Sequence, residues 1–185
     1  MLLATFLDLS GSTAVLVGGG RVAARRSRVL LQAGLQVRVV SPTFAPEVRA
    51  QDVELMEREY RTGDLDGAAL VVACTDNPEV NDRVADDARR LGLLVNHSGD
   101  AARGTFRFPA TVERGGVQLA LTTGTELPML AQALRERLEA ALPEQLPLER
   151  WSQQRDAALR LDPAQRQPAL DRLREDIRRT VGVRA

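Results

Sequence analysis

The 185-residue chain contains no lysine: all 25 of its basic side chains are arginine. That absence closes off a Walker-type phosphate lysine, a Schiff-base lysine and any lysine general base. There is a single cysteine, Cys74, and a single histidine, His97. An internal disulfide, a cysteine-rich zinc or iron–sulfur site and a histidine cluster are therefore all excluded, and no resident metal is expected. The 25 basic groups are matched by 25 acidic ones, so no net charge draws the chain toward nucleic acid or an anionic membrane. Aromatic residues make up only 3% of the chain, and Trp151 is the sole one in the arginine-rich C-terminal stretch. A stacking platform for single strands is missing there. No apolar run approaches the roughly 20 residues of a membrane span, and MLLATFLDLSGS has no basic leader, so the chain reads as cytoplasmic.

What remains is ordinary globular material, with 44% hydrophobic and 27% charged residues. TAVLVGG at 13–19 is an apolar, β-branched run ending in glycine, which suits a strand buried on both faces of a parallel sheet. A helical pattern starting at Val22 follows and closes at Gly34. Strands are expected at 35–40, near 53–59, at 68–73 and in LLVNHSGD. A helix is expected from Asn77 to Leu91, with Asn77 as cap, Pro78 in the first turn and Gly92 as stop. This alternation predicts a doubly wound α/β domain of Rossmann type over residues 1–110.

The pattern then changes. TFRFPATVERGGVQLALTT alternates apolar and polar residues around ERGG, a hairpin signal, and an amphipathic helix spans 128–142. Phe106, Arg107 and Phe108 fall on an expected strand, with Arg107 facing away from both rings. From about residue 146 the chain reads as a small helical region interrupted by prolines.

Gly18-x-Gly20-x-x-Ala23 sits between a predicted strand and a predicted helix, where a dinucleotide fingerprint belongs. Gly18 permits the tight turn, Gly20 lets a pyrophosphate approach the backbone, and the helix start supplies free N–H groups. The acid expected at the end of the second strand, to hold the ribose, is absent; Ser41 stands there. A hydroxyl neither repels nor strongly binds a 2′-phosphate, and Arg21 or Arg38 could approach one. The fingerprint thus predicts a dinucleotide without choosing between NAD and NADP.

GGGRVAARR, VVSPTF, ACTDNPEVN and VNHSGDAARGTFRFPA, in this order over residues 4–145, resemble the precorrin-2 dehydrogenase family, which includes the dehydrogenase–ferrochelatase module of siroheme synthase. The resemblance implies NAD as cofactor and precorrin-2, a tetrapyrrole, as substrate. It also implies a homodimer with a dimerisation region at 111–145 and a helical C-terminal domain at 146–185. Some members insert Fe²⁺ into the product. By position, Gly18, Gly20, Arg21 and Val22 match the phosphate loop, Ser41 the ribose site, and Thr75 and Asp76 the loop beside the cofactor. Asn96, Arg103 and Thr123 are the expected substrate contacts.

The family's key carboxylate lies three residues after the strand-ending asparagine, where this chain has Gly99. Asp100 follows and is the expected catalytic carboxylate; His97 reads first as a loop hydrogen-bonding residue and second as the catalytic backup for Asp100. LTTGTELP at 121–128 also departs from the family's serine- and glycine-rich stretch, with Thr125, Glu126 and Leu127 the bulkier residues. His97, Ser98 and Asp100 supply the residue types of a hydrolase triad, but near-neighbours in one loop rarely aim correctly. Arg103 reads equally as a carboxylate-binding group or a solvated arginine. Two other readings stand beside the dehydrogenase: a non-catalytic dinucleotide-sensing dimer, and a tetrapyrrole-binding or chelatase-only protein.

Overall fold

The computed structural model describes residues 2–124 and 127–183 and divides into two compact units, one spanning Leu3–Phe108 and the other beginning at Pro109. The first unit runs β1 (Thr13–Val17), α1 (Arg21–Gln32), β2 (Gln36–Ser41), α2 (Pro46–Arg49), β3 (Glu54–Glu57), β4 (Ala68–Ala73), α3 (Pro78–Arg90) and β5 (Leu94–His97). All four strand pairings are parallel, in the order β3-β2-β1-β4-β5. Chain progression reverses between β1 and β4, which places the switch point of this doubly wound sheet at their carboxyl ends.

The central strands β1 and β4 are almost wholly apolar because both faces of the sheet are covered there. Ala14, Leu16, Val39, Leu70 and Val72 pack on the α1 side, and Val15, Val17, Val40, Val71 and Val95 on the α3 side. On the α1 face, Ala23, Ala24 and Leu30 close the core. On the other face, α3 contributes Val84, Ala85 and Ala88. Beside α3, a 3₁₀ turn at Thr62–Leu65 takes the place of a longer crossover helix. Asp87 anchors it, accepting from the Tyr60 hydroxyl at 2.9 Å and the Thr62 hydroxyl at 2.8 Å. Burial and this carboxylate raise the Tyr60 phenol above its ordinary range.

The stretch 104–109 is not a strand, contrary to its alternating sequence. The Thr105 and Phe106 amides both donate to Val95 O, and the Thr105 hydroxyl accepts from Val95 N, so the chain crosses β5 instead of pairing along it. Phe106 and Phe108 still share one side, meeting edge to face at 5.2 Å against the α1-side core.

The second unit holds the antiparallel hairpin β6 (Ala110–Arg114) and β7 (Val117–Leu121), turning at Gly115–Gly116 as the sequence indicated. It continues with α4 (Pro128–Ala141), α5 (Leu148–Leu159) and α6 (Pro163–Thr180). Trp151, buried on α5, donates its indole N–H to Asp176 on α6 at 2.9 Å. Thr125 and Glu126 lie outside the described residues. No helix among the described residues is long and apolar enough to cross a membrane.

Candidate functional site

β1 ends against β4, and the glycine loop is built by that closeness. Gly18 has φ +123°, and a Cβ there would stand 2.5 Å from Cys74 O. Gly19, which sequence reasoning passed over, is more tightly confined: its Cβ would lie 2.0 Å from Thr43 O and 2.9 Å from Ser41 Oγ. Gly20 differs, because no atom lies within 4 Å of a Cβ placed there. It begins α1, which has no side-chain cap and no acidic residue in its first turn. The exposed end of a 12-residue helix thus carries unsatisfied N–H groups and the positive end of its dipole.

Ser41 closes β2 and is buried, its hydroxyl accepting from Thr43 N at 3.5 Å. Arg38 is paired with Glu54 at 2.8 Å, and Arg21 is exposed beside Gly20.

A cleft of about 570 Å³ opens at the β4 and β5 ends. It gathers Val22, Thr75, Asp76, His97, Asp100 and Arg103 of the expected site residues, and adds Asn81 and Asp82 from α3. Gly18 and Gly20, on the adjoining loop, and Ser41, at the end of β2, do not line this cleft. Asn96 points to the opposite sheet face from His97, buried, with its amide donating to Phe106 O at 3.2 Å. Thr123 follows β7 in the second unit.

Two loops form the cleft walls, and α3 holds both. Thr75 is locked to Asn81, which accepts from the Thr75 amide at 2.9 Å and hydroxyl at 2.8 Å and returns a bond to Thr75 O at 3.0 Å. On the other wall, His97 Nδ1 accepts from the Asp100 amide at 2.8 Å and the Gly99 amide at 3.2 Å. Its Nε2 lies 3.2 Å from Asp82. Arg103 sits 2.7 Å from Asp82 through Nε and 3.1 Å from Asp86 through Nη2, so its guanidinium is largely committed to α3. Asp100 is exposed, with one carboxylate oxygen accepting from Ala102 N at 2.9 Å to cap a 3₁₀ turn at Ala101–Arg103.

Cys74, just after β4, is a buried free thiol, its pKa pushed up to about 12 by burial. It is a core group with no thiolate chemistry at neutral pH. Among the described residues, no group of three or more His, Cys, Asp or Glu side chains is placed to hold a metal ion.

Asn81 carried a legible signal, since a polar residue occupies the 81, 84, 85, 88 register that α3 buries. Asp82 and Asp86, one turn apart, read equally well as a solvated face.

A protein-family model described as "Putative NAD(P)-binding" matches residues 5–110. The chain belongs to that family. The chain is also 43% identical over 144 residues to siroheme synthase 2 of Aeromonas salmonicida (strain A449), covering 76% of this chain and 30% of that protein. It is 41% identical over 142 residues to the siroheme synthase of Chromobacterium violaceum, covering 75% and 30%. The chain thus matches less than a third of the length of these curated relatives. Among solved structures it resembles "SirC, precorrin-2 dehydrogenase", with TM-score 0.70 and 23% identity over 94% of this chain and all of that one, a likeness of fold.

Proposed function

We propose that this protein oxidises precorrin-2 to sirohydrochlorin with NAD⁺. The observation that carries the reading is the uncapped start of α1 beside the open Gly20, next to a cleft that Val22 and Asp100 both line. A diphosphate fits such a helix end, since bare N–H groups and the helix dipole favour an anion. When bound, NAD⁺ supplies the hydride acceptor.

The remaining chemistry belongs to the chain. Gly20 gives the backbone room to approach the diphosphate, and the amides at the start of α1 hold it. Ser41 shapes the ribose side by packing under Gly19. Thr75, fixed by Asn81, and Asp76 form a cleft wall that would take the nicotinamide end. Loss of a hydride from the macrocycle is accompanied by loss of a proton, and Asp100 accepts it. Its carboxylate is exposed in the cleft, and only one of its oxygens is held by the Ala102 amide. His97 stands behind this carboxylate, and Asn96 shapes the opposite sheet face. Arg103 turns to α3, so the carboxylates of the tetrapyrrole are met by other groups or by its free Nη1. Thr123 is a further substrate contact.

The protein acts as a homodimer in the cytoplasm. Leu130, Leu134 and Leu138 form an exposed apolar row along α4, with Leu127 just before it, and a second copy would cover this row. Fe²⁺, where the protein inserts it, is a substrate.

Anaerobic incubation of the full chain with precorrin-2 and NAD⁺ tests the reading, following NADH absorbance and sirohydrochlorin together. Equal amounts of both products are expected, and Asp100→Ala should reduce the rate about a hundredfold. A parallel arm with Fe²⁺ reports metal insertion. NAD binding with no product would favour the sensing dimer, a reading that Gly99 at the family's carboxylate position supports. Tetrapyrrole binding indifferent to NAD would favour the chelatase-only protein.

A further inference from the structure

The loop that carries Asp100 is tied to α3 at more than one point. Asp82 Oδ1 meets both His97 Nε2 at 3.2 Å and Arg103 Nε at 2.7 Å. One turn further on, Asp86 receives Arg103 Nη2 at 3.1 Å on each oxygen. One more turn along, Arg89 donates to Ala102 O at 3.2 Å.

The hydrogen-bond directions fix the histidine tautomer. His97 Nδ1 faces two amide donors, so it carries no proton, and the ring proton sits on Nε2, pointing at Asp82. If the proton moved to Nδ1, it would confront the Gly99 and Asp100 amides with a third donor, and the loop would come away from the ring. The Asp82 acceptor therefore acts at a distance on the backbone of Asp100.

We propose that Asp82 is a positioning residue which, through His97 and Arg103, sets the 98–103 loop so that the Asp100 carboxylate faces the cleft. This rests on the reading of the cleft as the dehydrogenase site. The competing account treats Asp82 and Arg103 as an ordinary surface ion pair, for Asp82 is 44% exposed in its side chain. Such a pair contributes little and says nothing about a tautomer.

Because His97 is the only histidine of the 185 residues, its two ring nitrogens give two assignable ¹⁵N signals in this chain. The wild-type protein should show Nδ1 as the unprotonated acceptor and Nε2 as the protonated nitrogen. Asp82→Asn retains an acceptor and should keep this pattern, with precorrin-2 oxidation within about threefold of wild type. Asp82→Leu cannot accept; it should mix the tautomers and speed amide exchange at Gly99 and Asp100 about tenfold or more. It should also lower kcat about tenfold or more while the KM for NAD⁺ stays within about twofold.

An unchanged tautomer and unchanged exchange in Asp82→Leu would overturn the proposal. So would equal loss of activity in Asn and Leu variants that both keep the wild-type tautomer, because the charge itself would then be what matters. If the wild-type protein yields no sirohydrochlorin while its tautomer still responds to Asp82→Leu, the clamp is supported and the dehydrogenase reading fails.

Discussion

Helices α1 and α3 both follow parallel strands at the switch point of the sheet, yet they begin in opposite ways. At α3, Asn77 accepts from the Glu79 amide at 2.9 Å and the Val80 amide at 3.4 Å, Pro78 occupies the first turn, and Glu79 adds a negative charge. Its free N–H groups and its dipole are satisfied within the chain. At α1, glycine stands in the cap position, no side chain reaches the first turn, and Arg21 there adds a positive charge. One start is completed by protein and the other has no side-chain cap. On the proposed function, the open start binds the cofactor's diphosphate and the completed start supports the cleft wall.

The glycines before α1 give the largest expected effects. Gly18→Ala or Gly19→Ala forces a methyl group into a backbone carbonyl, at Cys74 or Thr43 respectively. Each should destabilise the fold by about 3 kcal/mol or more, measured by urea unfolding. Gly20→Ala meets open space and should cost only about 0.5 kcal/mol. It should nevertheless weaken NAD binding about tenfold in calorimetric titration, because the methyl stands where the diphosphate would approach. If Gly20→Ala binds NAD as wild type does, α1 is not the anion-binding start.

On the α3 side, the expected losses are of stability. Asn81→Ala leaves the half-buried Thr75 amide without its partner and should cost about 1–2 kcal/mol, again by urea unfolding. NAD affinity should fall with it, since the Thr75 wall loosens. Asn77→Ala removes only the cap. It should cost about 1 kcal/mol, lowering Tm by roughly 2–4 °C, with NAD affinity unchanged. A large affinity loss in Asn77→Ala would erase the contrast between the two helix starts.

The sequence makes one side of this contrast far easier to read than the other. The uninterrupted apolar runs of β1 and β4, the Asn77–Pro78 start and the ERGG hairpin all encode their structures locally. Gly18 and Gly20 were equally legible, because a turn and an open helix end are local needs. Gly19 was not, since its reason is the carbonyl of Thr43, brought in by β2. The tethers from Asp82 and Asp86 are nonlocal in the same way: nothing in α3 alone distinguishes carboxylates that hold a distant loop from those that face water. Phe106-Arg107-Phe108 failed for a related cause. Alternation describes side-chain faces, but a strand also needs a partner in register, and this stretch crosses β5 at Val95.

A small stability change at Arg21 carries the most telling sign. Arg21 is an exposed cation in the first turn of α1, where a cation opposes the helix dipole. Arg21→Glu places an anion there, so the helix should be stabilised by about 0.3–1 kcal/mol at low salt, read as a small rise in Tm. The same glutamate would repel the diphosphate and compete for its N–H groups, so NAD affinity should drop about tenfold, and added salt should narrow both differences. Stability and binding then move in opposite directions from one substitution. That is the signature of a helix end left incomplete for a ligand. At α3, where protein already fills the corresponding role, Glu79→Gln should instead lower stability by a few tenths of a kcal/mol and leave binding untouched.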